Sequence, residues 1–409
     1  MSNAHRVAVI GAGPAGLMAA EVLTERGIGV DVYDAMPSFG RKFLMAGKSG
    51  LNITHAGERA TFLDRYICND ERLKSAIERF DASDIVAWMR GLGIEAHKGP
   101  TGRVFPNMMK ASPLLRAWLQ RLSDQGAVFH TKHRWEGWVE NGALKFMTPG
   151  DPKTVSYDAT LLALGGASWR RLGSDGAWTK IMAAKSVRLS PFGPSNCGFL
   201  VNWSDRMRQD QAGQPVKACE LSVRTNDGVQ RSRSEFVITE RGVESGGVYM
   251  LSAALRAALQ QQGEAVLNID LCPDIEVQDL AKRLAKPRGK KSFSNHIRKV
   301  ANITGPKLAL IYEFIDRAVL NNPDKLAAFI KHIPVPVIGH VPIDEAISTS
   351  GGVAWSAISD DYMLKNLPGV FCAGEMLDWD APTGGYLITA CMATGRASGL
   401  GLLNWLSRD

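Results

Sequence analysis

Residues 6–34, "RVAVIGAGPAGLMAAEVLTERGIGVDVYD", leave a folding chain few choices. Arg6 to Ile10 is a short β-branched run, the pattern of a buried strand. It leads directly into Gly11-x-Gly13-x-x-Gly16. Gly11 permits a sharp turn, Gly13 lets the backbone approach a pyrophosphate, and Gly16 lets the next helix pack closely on the strand. Pro14 and Ala15 open that helix, whose free N–H groups and partial positive charge suit phosphate. The helix is expected to reach about Arg26, with Gly27 as its stop. A second strand ends in Asp34, 23 positions beyond Gly11. An acid there accepts hydrogen bonds from both hydroxyls of a ribose. The segment reads as the start of a dinucleotide-binding sheet.

Which dinucleotide is decided at the other end of the chain. "GVFCAGEMLDWDAPTGGYLITACMATGRASG", Gly369 to Gly399, has an apolar strand ending at Ala373, Gly374 and Glu375. A loop with Asp378 and Asp380 follows, then Thr383, Gly384, Gly385 and Tyr386 open a helix rich in small residues. An extended FAD needs such a second segment: an acid to hold a ribitol hydroxyl, and a helix N-terminus facing the pyrimidine end of the flavin. That helix end stabilises negative charge on the reduced ring by about 0.3–2 kcal/mol. Between these pieces, "LLALGGASW" is an apolar strand ending in the Gly165-Gly166 turn, suited to close approach to the same cofactor. A strand pair carrying Arg134 and Trp135 is expected near the adenine.

With these segments in view, the chain resembles the BaiN-like (also called YhiN-like) family of bacterial NAD(P)/FAD-dependent oxidoreductases, within the glutathione-reductase-like FAD fold. The matching pieces are "VAVIGAGPAGLMAAEVL", "GRKFLMAGKSGLNITH", "GRVFP", "LALGGASWRRLGSDGAW", "ISTSGGVAW" and "GVFCAGEMLDWDAPTGGY". The resemblance implies an α/β protein: a discontinuous Rossmann-like FAD domain, a parallel sheet with helices, interrupted by a mixed β/α insert. Stretches rich in Pro, Gly and Ser place the boundaries, giving residues 1–190 and 341–409 to the FAD domain and 191–340 to the insert.

Residues 40–55, "GRKFLMAGKSGLNITH", follow the ribose acid. Arg41 and Lys42 are expected toward the pyrophosphate or adenosine. Gly47, Lys48 and Asn52 are expected near the isoalloxazine, where donors tune the ring. Disulfide reductases of this fold carry C-x-x-x-x-C here, and this segment has no cysteine, so electrons do not leave through a dithiol. The family often has Cys where this chain has Leu51, which removes a thiol acid from that point. No second G-x-G-x-x-G follows a strand, so NAD(P)H is expected to dock transiently on the flavin. Lys48, His55, Arg103 and Tyr386 are the candidates for catalysis, with no acid–base pair standing out among them.

Six cysteines lie far apart without Cys/His spacing for zinc, so no metal is expected and the thiols read as reduced in a cytoplasmic protein. No apolar run has the length and continuity of a membrane span. Helix signals elsewhere include "SPLLRAWLQRLSDQG", with Ser112 as cap, Pro113 at the first helical position and Gly126 as stop.

Charge is concentrated in one place. "KRLAKPRGKKSFSNHIRK", residues 282–299, holds eight Lys/Arg and no acid; without it the balance is 40 basic to 41 acidic residues. Pro287 and Gly289 suggest a loop between two helices, the second capped by Ser294. This run is either a solvated lid or a phosphate-binding surface centred on Lys290, Lys291, Arg298 and Lys299, for NADPH, an anionic metabolite or RNA.

Three readings of function remain side by side. A flavoenzyme passes hydride from NAD(P)H through FAD to an activated C=C or C=O of a small molecule. Alternatively, it reduces the C5=C6 bond of uracil in RNA. A third reading is an oxidase that uses O2 on an amine or amino ketone.

Overall fold

The computed structural model describes residues 5–226 and 228–408, and the chain divides into two compact units, Met1–Gly193 with Ser348–Asp409 and Pro194–Ile347. The first unit is built on a five-stranded parallel sheet in the order Val370–Cys372, Ala159–Leu162, Arg6–Ile10, Gly29–Tyr33, Val128–His130. The central strand is covered on both faces, and Val7, Ala8 and Val9 are fully buried.

Helix Pro14–Thr24 follows the first strand and ends two residues before the expected Arg26, Gly27 taking the positive φ of the turn beyond it. The C-terminal helix Tyr386–Leu406 packs against it. A Cβ on Gly395 would stand 2.2 Å from the Ala15 carbonyl oxygen, so the small residues of the last helix let two backbones meet. Glu21, on the same first helix, is buried with its carboxylate accepting from the indole N–H groups of Trp88 and Trp118 and from Arg121.

The helix expected to begin at Ser112 spans Ala111–Asp124 instead, with Lys110 at the cap position and no side-chain cap. Pro113 fits inside its first turn because N–H groups there have no intrahelical partner. Gly126 closes the helix as expected, with φ +91°. Two three-stranded antiparallel sheets belong to the same unit. One orders Thr54–His55, Arg103–Pro106 and Ala96–Lys98; the other orders Arg134–Trp138, Leu144–Met147 and Lys153–Val155.

The second unit is a seven-stranded antiparallel sheet in the order Ile333–Val337, Ala265–Asp270, Pro215–Thr225, Gly228–Ile238, Gly242–Glu244, Phe199–Leu200, Gly339–His340, with helices over its own core of Phe199, Phe236, Leu255 and Ile269. The α/β class and the mixed character of the insert agree with the sequence reading. The basic run forms the end of helix Val277–Leu284, a loop, and helix Phe293–Ala301. Ser292, not Ser294, caps that second helix, accepting from Asn295 N–H at 3.3 Å. Ser294 instead bonds the Tyr312 hydroxyl at 2.9 Å. Among the described residues no helix is long and apolar enough to cross a membrane.

Candidate cofactor and active site

A cavity of about 370 Å³ opens at the C-terminal ends of the strands Arg6–Ile10, Gly29–Tyr33 and Ala159–Leu162. Carboxyl ends of parallel strands are where ligands bind in such sheets. The chain brings together here Gly11, Gly13, Pro14, Ala15, Asp34, Arg41, Lys42, Trp135, Gly165, Gly374 and Glu375, from five separate stretches of sequence.

The three glycines of the first motif do different things. A Cβ on Gly11 would lie 2.2 Å from the Ala163 oxygen and one on Gly16 1.9 Å from the Gly11 oxygen, so both are fixed by packing. Gly13, at the helix cap position, has no atom within 4 Å of where its Cβ would be. It is the glycine that faces open space, and the helix N-terminus behind it favours an anion there.

Asp34 accepts from Ala12 N–H at 3.1 Å and from Met36 N–H at 2.8 Å, which fixes its carboxylate at the cavity edge. Burial pushes its pKa above the usual carboxylate range, partly offset by those two donors and by Arg41 and Arg134. Lys42 is paired within the protein: its ammonium lies 2.7 Å from Glu375 Oε2 and donates to Ser168 Oγ at 3.0 Å. Glu375 also accepts from Thr349 N–H at 3.1 Å. Gly166 lies outside the cavity lining, with a Cβ position 1.7 Å from Thr349 Oγ1. Tyr33, His133, Ser174, Asp175, Trp178 and Cys391 line the cavity as well, although no local pattern marked them.

Three buried polar atoms of lining residues have no hydrogen-bond partner among the described residues: Arg41 Nε, Trp135 Nε1 and Ser174 Oγ. Buried donors are almost always paired, so these await a polar ligand. A ligand with phosphate and ribose oxygens and a flat heteroaromatic base supplies such partners. The residues therefore fit the adenosine and diphosphate part of FAD.

His55, Asn52, Gly384, Gly385 and Tyr386 gather at the start of the last helix. Gly385, at the cap position, has φ +95° and a Cβ position 2.5 Å from Thr54 Cα. Tyr386 is buried between Phe62 and His55, with ring centroids at 4.9 and 5.5 Å, and Tyr66 donates to its carbonyl at 2.9 Å. Its hydroxyl makes no hydrogen bond within the described residues. Burial pushes the Tyr386 pKa up, and the guanidinium groups of Arg65 and Arg103 pull it part of the way back. His55 Nε2 lies 2.9 Å from the Thr101 carbonyl oxygen, so that nitrogen carries the proton. Nδ1 is then a bare acceptor, buried and without a partner, as is Asn52 Oδ1. Gly384 stands 3.9 Å from Asn52 Nδ2 by its Cβ position. Gly47 is buried and Lys48 exposed. Leu51 is fully buried in the core, which explains how an apolar residue occupies that point. Asp378 Oδ2 accepts from Ser190 Oγ at 2.5 Å, and Thr383 is half-buried in the same loop.

In the other unit, Lys290, Lys291, Arg298 and Lys299 are all exposed. The Lys291 ammonium is pushed below the usual lysine range by Lys299 beside it.

A parallel sheet with a glycine-turn cavity at its carboxyl edge, closed by a distant strand–loop–helix, defines an FAD-dependent oxidoreductase. The chain belongs to the HI0933-like family, whose Rossmann-domain model matches residues 5–401. It is 22% identical to a 3-dehydro-bile acid delta(4,6)-reductase of Clostridium scindens, over 97% of this chain and 98% of that protein. A ribosomal RNA dihydrouridine synthase of Haemophilus influenzae is 24% identical over 94% of this chain and 95% of its own length. The same fold occurs in the 3-ketosteroid-delta4-(5alpha)-dehydrogenase of Rhodococcus jostii, with TM-score 0.52, 14% identity and 97% of each chain covered. These matches bear out the BaiN-like resemblance.

Proposed function

We propose that this oxidoreductase passes hydride from NAD(P)H through FAD to a carbon–carbon double bond conjugated to a carbonyl. The observation that carries the reading is the Tyr386 hydroxyl, without a hydrogen bond among the described residues, on a ring that stacks against His55 at the start of the last helix. Bound FAD supplies the hydride exchange. The protein's part is to hold the acceptor and to furnish a proton. Tyr386, kept protonated at neutral pH by burial, donates to the substrate carbonyl oxygen as the β-carbon takes hydride, and the enol so formed returns to the saturated carbonyl compound. His55 Nδ1 accepts a hydrogen bond from substrate or cofactor, and the helix N-terminus at Gly385 favours the developing negative charge. The names of two relatives, a delta(4,6)-reductase and a dihydrouridine synthase, both describe saturation of a ring double bond and support this chemistry.

In this reading Gly11, Gly13, Pro14, Ala15, Asp34, Arg41, Trp135, Gly165 and Glu375 hold the adenosine, diphosphate and ribitol. Asn52, Thr383, Gly384 and Gly385 border the flavin ring. Lys42 acts by orienting Glu375. Residues 194–347 form the insert, and the enzyme works in the cytoplasm, in keeping with six cysteines outside any disulfide among the described residues.

The test is anaerobic. NADPH or NADH should bleach the bound flavin, and a cyclic enone should restore its colour. Bleaching by amines alone, with peroxide formed in air, would replace this reading with the oxidase.

A second reading puts the double bond in a uracil of RNA. It is favoured by the adjacent, acid-free Lys291 and Lys299, with Phe293 and the exposed Tyr312 close by, rings 5.7 Å apart. Basic side chains with exposed rings suit a single-stranded RNA. Neutralising Lys290, Lys291, Arg298 and Lys299 together should abolish a steep salt dependence of RNA binding. Equal binding by the variant removes this reading.

A further inference from the structure

Arg65 and Arg103 both carry charge that opposes the effect of burial on the Tyr386 hydroxyl, and both are exposed. Neither side chain has an acid partner or a hydrogen bond among the described residues. That sets them apart from Arg6, Arg72, Arg121 and Arg134, each of which holds a carboxylate within 2.8 Å.

Their positions are fixed by the residues that pack on Tyr386. Arg103 lies directly opposite His55 in the antiparallel pair, and the His55 ring stacks on Tyr386. Arg65 precedes Tyr66, whose hydroxyl bonds the Tyr386 carbonyl and whose ring meets Tyr386 edge-on at 5.9 Å. One arginine thus comes from a strand and the other from the turn after helix Arg59–Leu63. They converge on one tyrosine although 38 positions separate them. Two guanidinium forks without acids, with a free hydroxyl as a further donor, match a planar or tetrahedral oxyanion far better than a neutral ligand.

We propose that Arg65 and Arg103 form an oxyanion subsite that holds a carboxylate or phosphate of the substrate next to the Tyr386 hydroxyl. The assignment deepens the reading above and rests on Tyr386 lying at the reacting end. It narrows the substrate to an anion, with the reducible double bond a few bonds from the charged group. The arginines set which substrate is accepted, while Tyr386 and His55 touch the group that reacts.

Calorimetric titration of the FAD-loaded protein tests this, with succinate as the carboxylate probe and inorganic pyrophosphate as the phosphate probe. At least one should bind, and whichever binds more tightly names the source of the oxyanion. R65Q/R103Q should weaken that binding at least tenfold, R65K/R103K should recover part of it, and R26Q/R116Q, which removes two exposed arginines elsewhere, should leave it unchanged. Equal affinity in the wild type and R65Q/R103Q, or no binding of either probe by the wild type, overturns the subsite. Flavin bleaching by NADPH is followed on the same samples. Bleaching retained alongside failed anion binding sinks the subsite but not the reductase. Absent bleaching with anion binding lost in R65Q/R103Q sinks the reductase and keeps the subsite.

Discussion

Lys42 Nζ stands 2.7 Å from Glu375 Oε2 and 3.0 Å from Oε1, joining residues 333 positions apart at the wall of the cofactor cavity. Ser168 accepts from Lys42 and the backbone of Thr349 donates to Glu375, so four stretches of the first unit are pinned at one ion pair. Glu375 is 11% exposed and Lys42 30%, which places the pair between a surface bridge and a buried one. Removing one partner should therefore cost about 1–3 kcal/mol. Lys42→Met is expected to lower the urea midpoint of the FAD-free protein and to weaken FAD binding about tenfold. In a Glu375→Gln background the same change should cost much less. Equal losses in both backgrounds would mean that the two side chains are not coupled.

Glu21 has a different task, far from any ligand. Its buried carboxylate accepts from Trp118 Nε1 at 2.5 Å, Arg121 Nη1 at 2.6 Å and Trp88 Nε1 at 3.0 Å. Two helices, Ala82–Gly91 and Ala111–Asp124, are tied to the first helix through it. Glu21→Ala strands two indole N–H groups and a guanidinium, and is expected to destabilise by about 3–5 kcal/mol. Glu21→Gln keeps one acceptor and should lose less. Denaturation followed by tryptophan emission reads both, because two of the donors are the reporters.

How much of this was legible in the sequence follows the kind of constraint at each residue. Gly11 and Gly16 were readable because backbone contacts of 2.2 and 1.9 Å admit no side chain, and such contacts come at fixed spacing. Asp34 was readable as the acid that follows the neighbouring strand, and its carboxylate accepts from Ala12 and Met36. The partner of Lys42 was not: a contact across 333 positions leaves no periodicity behind. Arg65 sits in an irregular turn, where a cation reads as solvated surface until Tyr66 and Tyr386 are seen to position it. The capping serine was misplaced by two residues because Ser292 and Ser294 both precede the same apolar pattern. Only the fold shows that Ser294 is turned to Tyr312.

Acid lability should come from Asp70. Arg72 beside it, 2.7 Å away, holds the Asp70 carboxyl below the usual carboxylate range, against a smaller opposing effect of burial. A lowered folded pKa means that the unfolded chain takes up the proton first as pH falls. The contribution is complete above the unfolded value of about 3.9 and disappears as pH drops through the folded one. Arg72 also donates to the carbonyl oxygens of Trp355, Ile358 and Ser359 at 2.7–2.9 Å, so protonating Asp70 loosens a clamp on the last part of the unit. Asp70→Asn should lower stability at pH 7 by about 1–3 kcal/mol and flatten the loss between pH 5 and 3. Urea unfolding at those pH values decides it; an unchanged acid limb would assign the lability to another group.

Tyr386 separates chemistry from architecture. Its backbone carbonyl, not its hydroxyl, receives the Tyr66 hydrogen bond, and its ring packs on Phe62 and His55. Tyr386→Phe keeps all of those contacts and removes only the proton donor. The variant is expected to melt within about 1 °C of the wild type, because the hydroxyl makes no hydrogen bond among the described residues that its loss would break. Its flavin should still be bleached by NAD(P)H at the native rate, since that step asks nothing of the hydroxyl. Transfer onward to an enone should fall by about 10²–10⁴, the usual contribution of a positioned general acid. The two half-reactions, followed separately by stopped-flow absorbance, give an internal control. Loss confined to the second half-reaction fits proton donation by Tyr386. Equal loss in both would make Tyr386 a packing residue and move the acid to another side chain of the site.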